Sequence, residues 1–116
     1  MEISHRRLNR VDVLSLNGRL DAASSPSLKQ QIDSLFAENR DRIVLDLSGL
    51  EMLSSAGLRI LTDVRKRARE RKLTDLEGGD VRIASPSPYI REILDLTGFT
   101  TMFELYEDTL EAVGSF

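Results

Sequence analysis

The segment DLSGLEMLSSAGLRIL, Asp46 to Leu61, runs from aliphatic residues through two adjacent hydroxyls and back into aliphatic residues. Ser54 and Ser55 therefore stand where a strand gives way to a helix. The start of a helix leaves backbone N–H groups without partners and carries the positive end of the aligned peptide dipoles. A hydroxyl placed there has two uses. It can cap the helix by accepting one of those N–H groups, or it can accept a phosphate, whose charge that end of a helix tolerates. Local sequence leaves both uses open.

Other reactive groupings are scarce. His5 is the only histidine and lies far in sequence from the serines, and there is no cysteine, so neither a Ser-His pair nor a thiolate nucleophile is indicated. The carboxylates are many but show no spacing that suggests an acid–base pair or a metal site. The glycines in NGRLDAAS and EGGDVR lack the spacing of a phosphate-cradling loop. The residues thus point away from an enzyme and call for no metal or other cofactor.

The elements that would position the serines follow from hydrophobic patterning. MEISHRR and VDVLSLNGRL are expected to form a hairpin through LNR, with NG closing the second strand as a turn. In SSPSLKQQIDSLF, Ser24 or Ser25 caps a helix and Pro26 suits its first turn. Leu28, Ile32, Leu35 and Phe36 make one apolar stripe on it. RIVLDL is nearly continuous in aliphatics, as a central strand covered on both faces would be. Beyond the serines, Leu58, Leu61, Val64 and Ala68 continue at helical spacing. Arg59, Arg65, Lys66, Arg67, Arg69, Arg71 and Lys72 crowd the other faces and read as a solvated surface. TDLEGGD is a polar loop before the short strand VRIA. A helix then starts at Pro88, presents Ile90, Ile93, Leu94 and Thr97 on one side, and stops at Gly98. FELY suggests a last strand, and Asp108 with Glu111 a capping box for TLEAV. Strands alternating with helices after a hairpin imply an α/β fold with a mixed, mainly parallel sheet covered by helices.

Bulk properties agree with one ordinary globular domain, residues 1–116. The chain has 41% hydrophobic and 30% charged residues, which suits a packed core. A formal net charge of -3 argues against a nucleic-acid partner, since neutralising phosphates requires a surplus of Lys and Arg. No apolar run approaches the length that crosses a bilayer, and the first residues lack the apolar core of a signal peptide. With no cysteine to oxidise, the expected location is the cytoplasm.

Three stretches together resemble the STAS domain, the fold of bacterial anti-sigma factor antagonists, over nearly the whole chain. VLSLNGRLDAASSPSLKQQIDSLF is similar to that family's second strand, its G-x-L-D turn and its first helix. IVLDLSGLEMLSSAGLRIL resembles the strand, loop and helix that carry the family's phosphorylated serine. SPSPYIREILDLTGFTTMFELYEDTLEAV is similar to the last helical pair, with its L-x-x-T-G-F stretch. The resemblance implies that Ser55, followed by Ala56, Gly57 and Leu58, is the phosphoacceptor. Ser54 stands where many such proteins have Asp, which leaves it as an alternative acceptor. Asp21, in GRLDA, matches an acidic position near the phosphorylated loop and would orient the serine or its kinase. Its other reading is a turn aspartate bonding its own backbone.

The resemblance further implies an antagonist that binds an anti-sigma factor with serine kinase activity. Met52, Leu53, Ser54, Ala56, Gly57 and Leu58 would form the contact surface. Core packing is the competing role for Met52, Leu53 and Leu58. Phosphorylation of Ser55 would switch binding off and a serine phosphatase would restore it; ATP would belong to the kinase. The alternative is a stand-alone STAS subunit that docks on the ATPase of a lipid or anion transport complex, with the serine loop as a static interface.

Overall fold

The computed structural model describes residues 1–71 and 79–116. Strand β1 (Glu2–Arg7) turns back into β2 (Asp12–Leu20), the expected hairpin, with Ile3 opposite Leu16 and His5 opposite Leu14. Helix α1 (Ser25–Ala37) follows and buries Leu28, Ile32, Leu35 and Phe36, the stripe its sequence spacing implied. Strand β3 (Arg42–Asp46) then pairs parallel to β2, and strand β5 (Asp80–Ala84) pairs parallel to β3. Between them lie β4 (Leu50–Leu53) and α2 (Ser55–Glu70). Helix α3 (Pro88–Leu96), a 3-10 turn (Phe99–Thr101), β6 (Leu105–Tyr106) and α4 (Thr109–Gly114) complete the described chain.

The sheet order is β1-β2-β3-β5-β6, with β4 paired to the far end of β2. Among the described strands, only β1 is antiparallel to its neighbour. Alternation along each strand divides the side chains between two faces. On one face Leu14, Leu16, Ile43, Leu45, Val81 and Ile83 pack with the buried residues of α1, α2 and α3. On the other, Val11, Val13, Val44 and Ala84 pack against Ala112 of α4, with Phe116 beside them. Each fully buried Leu or Ile contributes about 1.5–3 kcal/mol by leaving water, so the larger layer carries most of the fold's stability.

Several local expectations change. Asn17 and Gly18 do not close β2 as a turn: the strand continues to Leu20, and Gly18, at φ +112°, sits where the register against β4 shifts. Glycine alone takes that backbone conformation without strain, so the NG pair makes a bulge inside a strand. LEML, within the presumed loop, forms β4 because the end of β2 still has open hydrogen-bonding positions after β3 has ended. FELY shortens to Leu105–Tyr106. Thr97 faces outward, its hydroxyl bonding the carbonyl of Ile93, while Gly98 adopts the left-handed conformation that ends α3. Asp108 does cap α4, accepting the N–H of Glu111 at 2.8 Å. Of the TDLEGGD loop, residues 74–78 lie outside the described residues.

Candidate functional site: the N-terminal turn of helix α2

Because β2, β3, β4 and β5 run parallel, their C-terminal ends share one end of the molecule. The turn after β2, with Asp21, and the turn after β4, with Ser54 and Ser55, lie side by side there. Leu20 and Leu53 are register partners, and the N–H of Ser54 donates to the carbonyl of Leu20 at 3.0 Å. Helix α2 enters tightly over this pairing. Gly57 is buried, and a Cβ built on it would lie 2.5 Å from the Leu20 carbonyl oxygen and 2.8 Å from Cδ1 of Leu53. A side chain at 57 would push the first turn of α2 off the end of β2.

The two serines divide the roles that local sequence left open. Ser54 is the N-cap: its backbone is extended and its Oγ accepts the N–H of Gly57 at 3.2 Å. Its carbonyl accepts the N–H of Leu58. Ser55 is the first helical residue, is exposed, and its hydroxyl takes no part in a hydrogen bond among the described residues. Capping therefore does not require Ser55.

Around them, Met52 is 37% exposed whereas Leu53, at 6%, belongs to the core. Ala56 is half-buried, and Leu58 is partly buried against the core. The Asp21 carboxylate accepts the N–H groups of Ala23 and Ser24 at 3.0 and 3.1 Å, bonding within its own turn. The Ser24 N–H foremost, with the Ser24 hydroxyl and the Ala23 N–H, holds its carboxyl below the usual carboxylate range. The structure brings Asp21 into the same end of the molecule as Ser55 but gives its side chain a local task. Ser24 braces this turn, its hydroxyl donating to the carbonyl of Arg19 at 2.7 Å.

Arg19 escaped the sequence reading. It is the register partner of Met52, and its guanidinium approaches Sδ at 2.9 Å and Asp21 at 4.0 Å. Nothing in a single sequence announces that pairing, since β4 itself was not legible. His5, by contrast, is remote: Nε2 lies 2.7 Å from Oδ1 of the fully buried Asp12, which also takes a bond from Nε of Arg40 at 2.6 Å. His5 pairs with Leu14, about 20 Å along β2 from Leu20, so it forms no dyad with either serine. No cluster of three or more metal-ligating side chains occurs among the described residues. None of their helices is long and apolar enough to cross a membrane.

The family model of the STAS domain matches residues 2–112. The chain belongs to the STAS domain family. An anti-sigma F factor antagonist of Paenibacillus polymyxa is 25% identical to this STAS domain over 114 residues, covering 97% of this chain and 91% of that protein. A solved anti-sigma factor antagonist of Mycobacterium paratuberculosis superimposes with a TM-score of 0.81 at 30% identity, over 98% of this chain and 92% of its own. The phosphorylated form of the Bacillus cell fate determinant SpoIIAA shares the fold, with a TM-score of 0.70 at 17% identity over 98% of both chains. The single α/β domain with its mixed, mostly parallel sheet is thus the STAS architecture.

Proposed function

We propose that this STAS domain is an anti-sigma factor antagonist that docks through the N-terminal turn of α2 and is switched off by phosphorylation of Ser55. The relatives' names support the antagonist reading. The observation that carries the switch is the division of labour between the serines. Ser54 caps α2, so Ser55 is left exposed and uncommitted at the helix start. Met52, Ser54, Ala56 and the exposed part of Leu58 would then meet the partner, while Leu53 and Gly57 support that surface from below.

The modifying step takes place on a partner serine kinase holding ATP. The Ser55 oxygen forms a bond to the γ-phosphorus, the bond from that phosphorus to the bridging oxygen of ADP breaks, and the hydroxyl proton passes to a base of the kinase. The phosphate brings about two negative charges at neutral pH. At a docking surface that adds a desolvation cost and repels an acidic partner, with no change of fold required. A serine phosphatase would reverse the state.

Binding to the anti-sigma factor that co-purifies with the protein tests the reading. Ser55→Ala is expected to keep the wild-type affinity, and Ser55→Glu to lose at least about tenfold, or about 1.4 kcal/mol. Equal affinity for all three would overturn the switch. Recovery of an ATP-binding transport subunit as the constant partner would overturn the antagonist reading.

A further inference from the structure

The arginines of α2 are not equivalent. Arg65 and Arg69 lie 3.7 and 3.8 Å from Oδ1 of Asp80, Arg67 reaches Asp33 at 2.5 Å, and Arg71, capping the far end, is 3.9 Å from Asp41. Arg59 is exposed and, alone among the arginines of this helix, makes no ion pair among the described residues. The acid one turn beyond it, Asp63, is engaged by Arg67 at 3.7 Å.

Arg59 also stands four residues after Ser55, with both residues exposed on the same helix. Side chains at i and i+4 are neighbours on a helix surface, and an anion placed N-terminal to its cation is the more favourable order. The other charged groups at this end are already engaged or lie on other elements: Arg19 is beside Asp21 at 4.0 Å, and Glu51 projects from β4.

We propose that Arg59 is the internal counter-ion of a phosphate on Ser55. Phosphorylation then does two things to the docking face at once: it adds an anion, and it withdraws a cation that unmodified protein offers to an acidic partner. Arg59 becomes a specificity-determining residue for that partner, acting through the local change of charge. The inference rests on Ser55 being the acceptor.

The test installs phosphoserine at position 55 by genetic encoding, so it needs no kinase. The phosphate is titrated by phosphorus NMR in the wild type, Arg59→Gln and Arg59→Lys. Pairing predicts that the second phosphate pKa is lower in the wild type than in Arg59→Gln by about 0.15–0.4 unit, the size expected of an exposed i,i+4 pair, with Lys restoring most of the shift. It also predicts that raised salt abolishes the difference. Superimposable titrations of the wild type and Arg59→Gln would overturn the proposal, as would a difference unaffected by salt. The thermal unfolding midpoints of the unmodified variants should coincide with that of the wild type, which separates pairing from a fold defect. Absence of phosphate on Ser55 in the protein's own cells would refute the switch itself while leaving this titration unaltered.

Discussion

The two halves of α2 solve opposite problems with one continuous helix. Its N-terminal turn presents small and hydroxyl residues, and Ser55 and Arg59 remain exposed. Its C-terminal half carries arginines that read in the sequence as a solvated face but, apart from the exposed Arg69, fold back onto neighbouring elements. Arg65 and Arg69 share Asp80 with Arg82, Arg67 is held by Asp33, and Arg67 and Arg71 lie over the ring of Phe36 at 5.3 and 5.0 Å. Their long stems cover apolar surface while the guanidinium groups find carboxylates. The lesson is that charge in this helix is structural where acids from neighbouring elements meet it, and available where none does.

Five substitutions can break or sharpen that contrast. Asp80→Ala should cost the most, about 2–4 kcal/mol in chemical denaturation, because it leaves the surrounding arginines without their shared carboxylate, whose side chain is only 9% exposed. A cost under about 1 kcal/mol would mean that the C-terminal half is no more committed than the N-terminal turn. Gly57→Ala should lose about 1–3 kcal/mol, since the added carbon meets the Leu20 carbonyl oxygen at 2.5 Å and a backbone must move.

The serines provide the sharper pair. Ser54→Ala should cost about 1 kcal/mol by losing the cap, whereas Ser55→Ala should stay within about 0.5 kcal/mol of the wild type. Equal losses would show that the capping role is shared.

A smaller loss than that of the Ser54 cap is expected at Asp33. Hydrogen bonds from Lys29 foremost, and from Arg67, hold its carboxyl below the ordinary 3.8. A carboxylate with a depressed folded-state pKa stabilises the protein above its unfolded value and loses that contribution as the pH falls through the folded value. Asp33→Asn should therefore cost about 0.5–1 kcal/mol at neutral pH after solvent screening. The gap from the wild type should close as the pH is lowered from 3.8 downward.

Much of this protein was determined by the sequence alone. The apolar stripe of α1, the aliphatic run of β3, the hairpin at the start and the ends of α3 are local signals, each decided by residues a few positions apart. The double serine at a strand-to-helix junction is equally local, and with its flanking stretches it was enough to suggest the family. Which serine caps the helix was not legible, because both satisfy the same propensity. The choice follows from where Gly57 packs against Leu20 and Leu53, and so from the entry angle of the helix.

Only the tertiary structure decided the rest, for a common physical reason. Strand β4 exists because β2 outruns β3, and Asn17–Gly18 forms a bulge because the paired strands continue past it. Asp12 is buried because Arg40, from the far side of α1, and His5, from the neighbouring strand, supply its hydrogen bonds. Asp80 plays the same part for arginines of α2. A residue's intrinsic preference belongs to its own segment, but whether its charge or backbone is satisfied depends on groups that reach it only when distant segments pack together.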